Sequence, residues 1–209
     1  TAIAAETGGT VAGAAADVAD AASLEQLFAA AHRTLGGLDI LVCNAGGPPP
    51  GGFMTLTEAS WDQAYQLTLL SVVRSVTLSL PRFEEAGGGS VLVLGSSSVK
   101  QPIPNLLLSN VFRPAIHGLD DLAPAGVRIN MLSPGRILTG RIEQLDAAQA
   151  KREDRSVAEI RAESVARIPL GRLGSPDEFG KVAAFLVSEA ASYLTGTSLL
   201  VDGGMVRAL

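Results

Sequence analysis

The stretch "LDILVCNAGG", Leu38 to Gly47, is a near-continuous apolar run that ends in glycines. A strand with one wet face alternates apolar and polar residues. A run this uniform suits a strand covered on both faces, as in parallel sheets. Working outward, "SVLVLG" (Ser90 to Gly95), "VRINMLSPG" (Val127 to Gly135) and "SLLVDGG" (Ser198 to Gly204) read as further strands. "VAGAAADV" (Val11 to Val18) reads as a short strand carrying Asp17 at its end. Helical patterns lie between them. Residues 1–7 read as the tail of a helix. Ser23 is expected to cap the next, with Gln26 as its reciprocal partner. Leu24, Leu27, Phe28, Ala31 and Leu35 form that helix's buried stripe, and Gly36-Gly37 stops it. Longer helices are expected over residues 57–80 and 104–119. Ser175-Pro176-Asp177-Glu178 opens another that runs to about Ser188: a cap, a proline at the first position and acids near the positive end. Alternation of strand and helix predicts an α/β fold with a doubly wound parallel sheet.

The chain has 209 residues, the size of one domain. Its 47% apolar and 4% aromatic content is an Ala/Val/Leu/Gly-rich mixture, suited to helices packed closely on a sheet. The net charge is -5 and the Lys and Arg residues form no basic stripe, which argues against nucleic acid as a partner. The lone cysteine, Cys43, excludes an internal disulfide, and with only His32 and His117 a metal site is not expected. No apolar run approaches the roughly 18 residues of a membrane helix. The expected setting is cytoplasmic, with no membrane partner. Residues 136–166 are polar and charge-rich, with a helix opened by Ser156 and Glu159. They read as an excursion that covers a substrate.

Right-handed crossovers bring the carboxyl ends of such strands to one edge of the sheet, where ligands of open α/β folds bind. Those ends carry Asp17, Asn44-Ala45-Gly46, Ser96, Pro134-Gly135 and Asp202-Gly203-Gly204. Small residues there admit a large flat ligand. Cys43 and Trp61 read as packing residues, and Asp202 as the anchor of the terminal turn.

Several motifs carry a family likeness. "CNAG" (Cys43 to Gly46), Asp17-Val18, "SWDQAYQLTLLS" (Ser60 to Ser71), "NMLSPGRILT" (Asn130 to Thr139) and "YLTGTSLLVDGG" (Tyr193 to Gly204) stand in one order over nearly the whole chain. In that order and spacing they resemble the short-chain dehydrogenase/reductase family. The resemblance implies a Rossmann-like sheet, NAD or NADP as cofactor, and a small carbonyl or alcohol substrate. It also implies a homodimer or homotetramer built through two long helices and the last strand. It implies that Asp17 and Val18 flank the adenine and that Asn44, Ala45 and Gly46 lie beside the cofactor. Pro134, Gly135, Ile137 and Thr139 belong, by the same likeness, to the element near the nicotinamide. Ser96 matches the family's catalytic serine, because it stands 13 residues before Ser109, the family's tyrosine position.

Three positions depart from the family. Thr68 replaces its asparagine, Ser109 its tyrosine and Arg113 its lysine. A tyrosine, with a pKa near 10 lowered by a neighbouring cation, can exchange a proton with a substrate oxygen. A serine is far less acidic, and arginine stays charged and relays protons poorly. The usual proton path therefore does not operate as written. Arg113 and Ser109 are expected to hydrogen-bond the cofactor or substrate oxygen, with Ser96 orienting that oxygen and water supplying the proton. Lys100, Tyr65 and His117 are the other acids within reach of the site in sequence. The competing reading is a dinucleotide-binding protein without catalysis, acting as a subunit partner or sensor. It is favoured by the same three replacements.

The family's first strand, glycine-rich turn, first helix and second strand are expected ahead of Thr1; they hold the pyrophosphate and choose between NAD and NADP. Family members also carry about five more residues between Leu119 and Asp120, enough to turn a helix's apolar stripe by more than a third of a turn. A further stretch is expected there.

Overall fold

Four strands form one parallel sheet, in the order β1 (Ile40–Cys43), β2 (Gly89–Leu94), β3 (Val127–Pro134) and β4 (Ser198–Val201). The structure is a computed structural model and describes residues 2–207. Its helices are α1 (Ala2–Thr7), α2 (Ala21–Leu35), α3 (Glu58–Ala64), α4 (Ser71–Ala86), α5 (Leu107–Phe112), α6 (Gly140–Glu153), α7 (Val157–Ala166) and α8 (Pro176–Val187). Alternation along the strands splits the core in two. Val91, Val93, Ile129 and Met131 pack against Val72, Val76 and Phe83 of α4. Leu92 and Leu132 point the other way, against Leu186 of α8. Helices therefore cover both faces, as the unbroken apolar strands require. Among the described residues no helix is long and apolar enough to cross a membrane.

The expected strand Val11–Val18 does not form: residues 8–17 carry no regular hydrogen bonding. A strand needs a neighbouring backbone, and among the described residues nothing pairs with the outer edge of β1. The expectation that Leu38–Gly47 is covered on both faces fails: Leu41 and Cys43 meet the core, while Ile40 and Val42 face outward, exposed. "VAGAAA" also has little side chain to bury. Asp17 and Val18 instead belong to a turn ahead of α2, in which Asp17 Oδ1 accepts from Ala19 N at 2.9 Å. Arg74 of α4 ties this turn down by donating to the Ala19 carbonyl at 2.8 Å. The cap of α2 is Asp20, three residues ahead of Ser23; its carboxylate accepts from Ser23 N at 2.7 Å. Ser23 lies inside the first turn instead, and its hydroxyl accepts from Asp17 N at 2.9 Å.

The helix expected over 57–80 begins at its Thr57 cap but runs on to Ala86, past Pro81. Fully buried Phe83 lies in the added turn, and its packing outweighs the one hydrogen bond that proline removes. Between α3 and α4 the chain winds as a π-helical turn, Tyr65–Leu70, of the kind common near functional sites.

After Arg113 the chain leaves the α-helix for a 3₁₀ segment, Pro114–Ala125. Its 12 residues are far beyond the usual length of such runs. At about 2.0 Å per residue they span about 24 Å, the reach of about 16 α-helical residues. Tighter winding thus stretches a short connection over the distance a longer helix would cover. Ile116, Leu119 and Leu122 still reach the core.

Arg128 of β3 locks α8 to the sheet. Its guanidinium donates to the carbonyls of Leu186 (3.2 Å), Ser188 (3.2 Å) and Ala191 (2.9 Å), at the end of α8 and in the turn that follows it. Arg128→Ala should cost about 2–3 kcal/mol. For a chain of this size that lowers Tm by roughly 4–12 °C. Thermal melts by circular dichroism would measure it, and a shift below about 2 °C would contradict this role.

Candidate active site

Parallel pairing sets the carboxyl ends of the strands side by side. Above them opens a cleft of about 730 Å³. Ser96, Ser109, Arg113, Pro134 and Gly135 all line it. Asn44, Ala45 and Gly46 follow β1 and lead into Gly47 and Pro48, which form the cleft's near wall. The other expected positions lie outside its walls. Thr68 is buried on the π turn, with its hydroxyl lacking any hydrogen-bond partner. Ile137 is buried and bridges to Gly174. Thr139 caps α6. Asp17 and Val18 stay in the turn before α2.

Two of the glycines at this rim have different reasons to be glycine. A Cβ on Gly135 would lie 2.5 Å from the Asp202 Cα, so the strand ends can approach only without a side chain. Gly46 meets nothing within 4 Å and is open to a ligand. Asp202 is also the anchor of the terminal turn, its two oxygens accepting from Gly204 N and Val206 N at 2.9 and 2.8 Å.

The three serines after β2 divide their work. Ser96 Oγ accepts from Ser98 N at 3.2 Å, which leaves its own proton free to point into the cleft. Ser98 and Ser109 are both buried and share a hydroxyl–hydroxyl hydrogen bond of 3.0 Å. That pairing was not readable from spacing. Asn110 then fixes the loop between them: its amide accepts from Ile103 N and donates to Ile103 O, each at 3.0 Å.

Arg113 closes the base of the cleft. One terminal nitrogen donates to the Leu94 carbonyl at 3.0 Å, and Nε is shut from solvent with no partner. Burial pushes its pKa below the ordinary value for arginine. No ion pair among the described residues involves it. The site therefore holds a cation in a poorly solvated place with unspent donor capacity. Lys100, Tyr65 and His117 do not line the cleft. Tyr65 leans on Phe112, with ring centroids 6.0 Å apart, and Trp61 meets the same ring edge-on at 5.9 Å. The ionisable groups on the cleft wall are instead four arginines, 113, 136, 141 and 167. The last three belong to the segment following β3. Sequence marked that segment as charge-rich, but only the fold shows which of its charges face inward.

A small-residue slot at the ends of a doubly wound parallel sheet, with a serine after the second strand, is the site of a dinucleotide-dependent oxidoreductase. Comparison with known proteins agrees. The sequence model of the enoyl-(acyl carrier protein) reductase family matches residues 1–206. "Dehydrogenase/reductase SDR family member 4" of Sus scrofa is 36% identical over 206 residues, covering 96% of this chain and 71% of that protein. L-sorbose reductase from Gluconobacter frateurii, solved with NADPH and L-sorbose, superposes with a TM-score of 0.93 at 26% identity, covering 100% of this chain and 81% of that one. An NADPH-bound short-chain oxidoreductase from Pseudomonas aeruginosa, described as having an atypical catalytic centre, matches at TM-score 0.81 and 30% identity over 94% of this chain and 76% of that one. The chain belongs to the short-chain dehydrogenase/reductase family of NAD(P)-dependent oxidoreductases.

Two measurements test this geometry. Gly135→Ala should cost about 1–3 kcal/mol in urea unfolding, while Gly46→Ala should stay within about 0.5 kcal/mol of the parent. Equal effects would refute the distinction between the two glycines. Burial also pushes the Cys43 thiol from its ordinary 9.0 up to about 12. The thiolate is the reactive form, so at pH 8 Cys43 should alkylate on the order of 10-fold or more slower than free cysteine. The native state holds this proton where the unfolded chain releases it. Its contribution to stability is therefore full below about pH 9 and declines as pH rises toward about 12. Cys43→Ala should flatten that alkaline decline.

Proposed function

We propose that this chain interconverts a carbonyl and an alcohol through an active site in which Ser96, Ser109 and Arg113 replace the tyrosine-lysine pair. The observation that carries the reading is the meeting of these three side chains with Pro134 and Gly135 in one cleft. A relative with an atypical catalytic centre supports it. When bound, the nicotinamide cofactor supplies or accepts the hydride. In the reducing direction one hydride reaches the carbonyl carbon and one proton the oxygen, giving alcohol and oxidised cofactor.

The protein's residues work on the oxygen. Ser96, with its proton unused, donates to it. Ser109 is held by Ser98 and presents a second hydroxyl to the same space. Arg113 sets a fixed positive charge, poorly screened, against the negative charge that grows on the oxygen. The proton arrives from water along the hydroxyls. The unpartnered Thr68 hydroxyl holds a water behind them. Asn44, Ala45 and Gly46 would border the nicotinamide side with Pro134 and Gly135, while Ile137 and Thr139 shape the backbone that follows. Asp17 and Val18 would meet the adenine. Helices α6 and α7, residues 136–166 by sequence, cover the substrate. A homodimer or homotetramer in the cytoplasm fits the exposed Phe185, Tyr193 and Leu199 around α8 and β4.

One observation favours the competing reading, a dinucleotide-binding partner without turnover: the cleft wall offers no acid of near-neutral pKa among the described residues. Titration of full-length protein with NADH and NADPH, then a carbonyl panel, separates the two. We expect binding and turnover. Arg113→Met should lower kcat by about 10²–10³-fold. Tight cofactor binding with no substrate reduced would leave the partner reading standing. An unchanged dissociation constant and kcat in Arg113→Met would remove Arg113 from the site.

A further inference from the structure

The cleft wall carries four guanidinium groups and no Asp or Glu. This is a local excess, since the whole chain carries a net charge of -5. Two of the four have counter-charges behind them. Arg167 pairs with exposed Glu163, which also serves Arg155. Arg136 pairs with Asp146, which is fully buried and shared with Arg161. Arg113 and Arg141 have no carboxylate partner among the described residues. Nε of Arg136 and of Arg113 is buried and unpartnered. The opposite wall is apolar, with Ile103, Pro104, Leu106 and Met205. A cleft of one sign with low-dielectric walls concentrates its field and draws the opposite charge inward. Guanidinium forks match the two oxygens of a carboxylate better than any neutral group.

We infer that the substrate is an oxo or hydroxy acid: a carbonyl or alcohol on an apolar body that also bears a carboxylate. Arg141 and Arg167 bind the carboxylate from the α6–α7 side, while Ser96 and Arg113 take the reacting oxygen. This rests on the oxidoreductase reading of the same cleft. It commits to more, because neutral ketones would satisfy that reading equally well. Arg141 and Arg167 are exposed at the cleft, Arg167 with Glu163 beside it, while Arg113 and Arg136 are half-buried.

Benzoylformate and its methyl ester test it, since they share the ring and the carbonyl and only the acid is charged; their binding constants separate that charge from the ester's greater reactivity. With full-length protein and NADPH, kcat/KM for the acid should exceed that for the ester by about 10-fold or more, mainly through KM. Arg141→Gln should remove most of that ratio, and Arg152→Gln, a residue that does not line the cleft, should not change it. Raising salt from about 50 to about 500 mM should erode the preference. Equilibrium binding of the two compounds to the protein with NADP⁺ gives the same ratio without turnover. An ester bound and reduced as well as the acid would overturn the inference and leave the oxidoreductase reading intact. Absence of NADPH binding and of all turnover would instead sink that reading. If Arg141→Gln loosens NADPH and leaves the acid-to-ester ratio alone, the charge serves the cofactor's phosphates and the inference fails.

Discussion

The parallel ladder between β2 and β3 is the constraint on which everything else hangs. Six residue pairs, from Gly89 with Val127 to Leu94 with Leu132, hold the two strands in register. Because successive side chains point to opposite faces, this register sends Val91, Val93, Ile129 and Met131 one way and Leu92 and Leu132 the other. Both faces then need a helix, and α4 and α8 supply them. The same register brings Ser96 and Pro134 to one rim. A slip by one residue would exchange the faces and move the serine away from the strand end it caps. The core and the site are thus set by a single alignment.

Electrostatics at that rim runs against the rest of the chain. Arg113 gives up solvent for one carbonyl, that of Leu94, and receives no carboxylate. Leaving a cation so poorly compensated costs stability. An arrangement like this is retained where a ligand supplies the missing charge or dipole. Asp146 works in the opposite sense: buried between Arg136 and Arg161, it joins the loop after β3 to α6 and α7. The segment over the cleft is therefore fastened by an ion triad together with a few buried apolar side chains, Ala150 and Ile160 among them.

How much was legible beforehand follows from whether a signal was local. The strands Ser90–Gly95 and Val127–Gly135 were visible because burial on both faces leaves unbroken apolar runs; Leu38–Gly47 is equally apolar, although one of its faces, with Ile40 and Val42, is exposed. The Ser175-Glu178 and Ser156-Glu159 capping boxes were visible because both partners lie within one turn. The strand Val11–Val18 was not decidable from its residues, since pairing depends on a neighbour. Asp20 rather than Ser23 is the cap because the helix starts at Ala21, earlier than its apolar stripe shows. At the site, Ser96, Ser109 and Arg113 could be placed from their intervals. The bond between Ser98 and Ser109, the gathering of Arg136, Arg141 and Arg167 on one cleft wall, and the packing reason for Gly135 all join residues that only the fold brings together.

Replacing tyrosine and lysine by serine and arginine changes what the site can do by itself. A tyrosine beside a lysine is a proton donor that the protein owns. Serine hydroxyls, with pKa values far above neutral, can pass a proton along but cannot release one. Arg113 can stabilise charge but does not titrate in the working range. In the proposed mechanism the work shifts from proton donation to charge stabilisation, which depends on excluding water and on keeping the guanidinium fixed. Both conditions are met by structure and not by acidity: the Leu94 carbonyl pins Arg113, the Asn110–Ile103 pair holds the serine loop, and α6–α7 shade the opening. Under the proposed function, a reactant that carries its own negative charge would complete such a site, which would link the three replacements to the excess of arginine on the same wall.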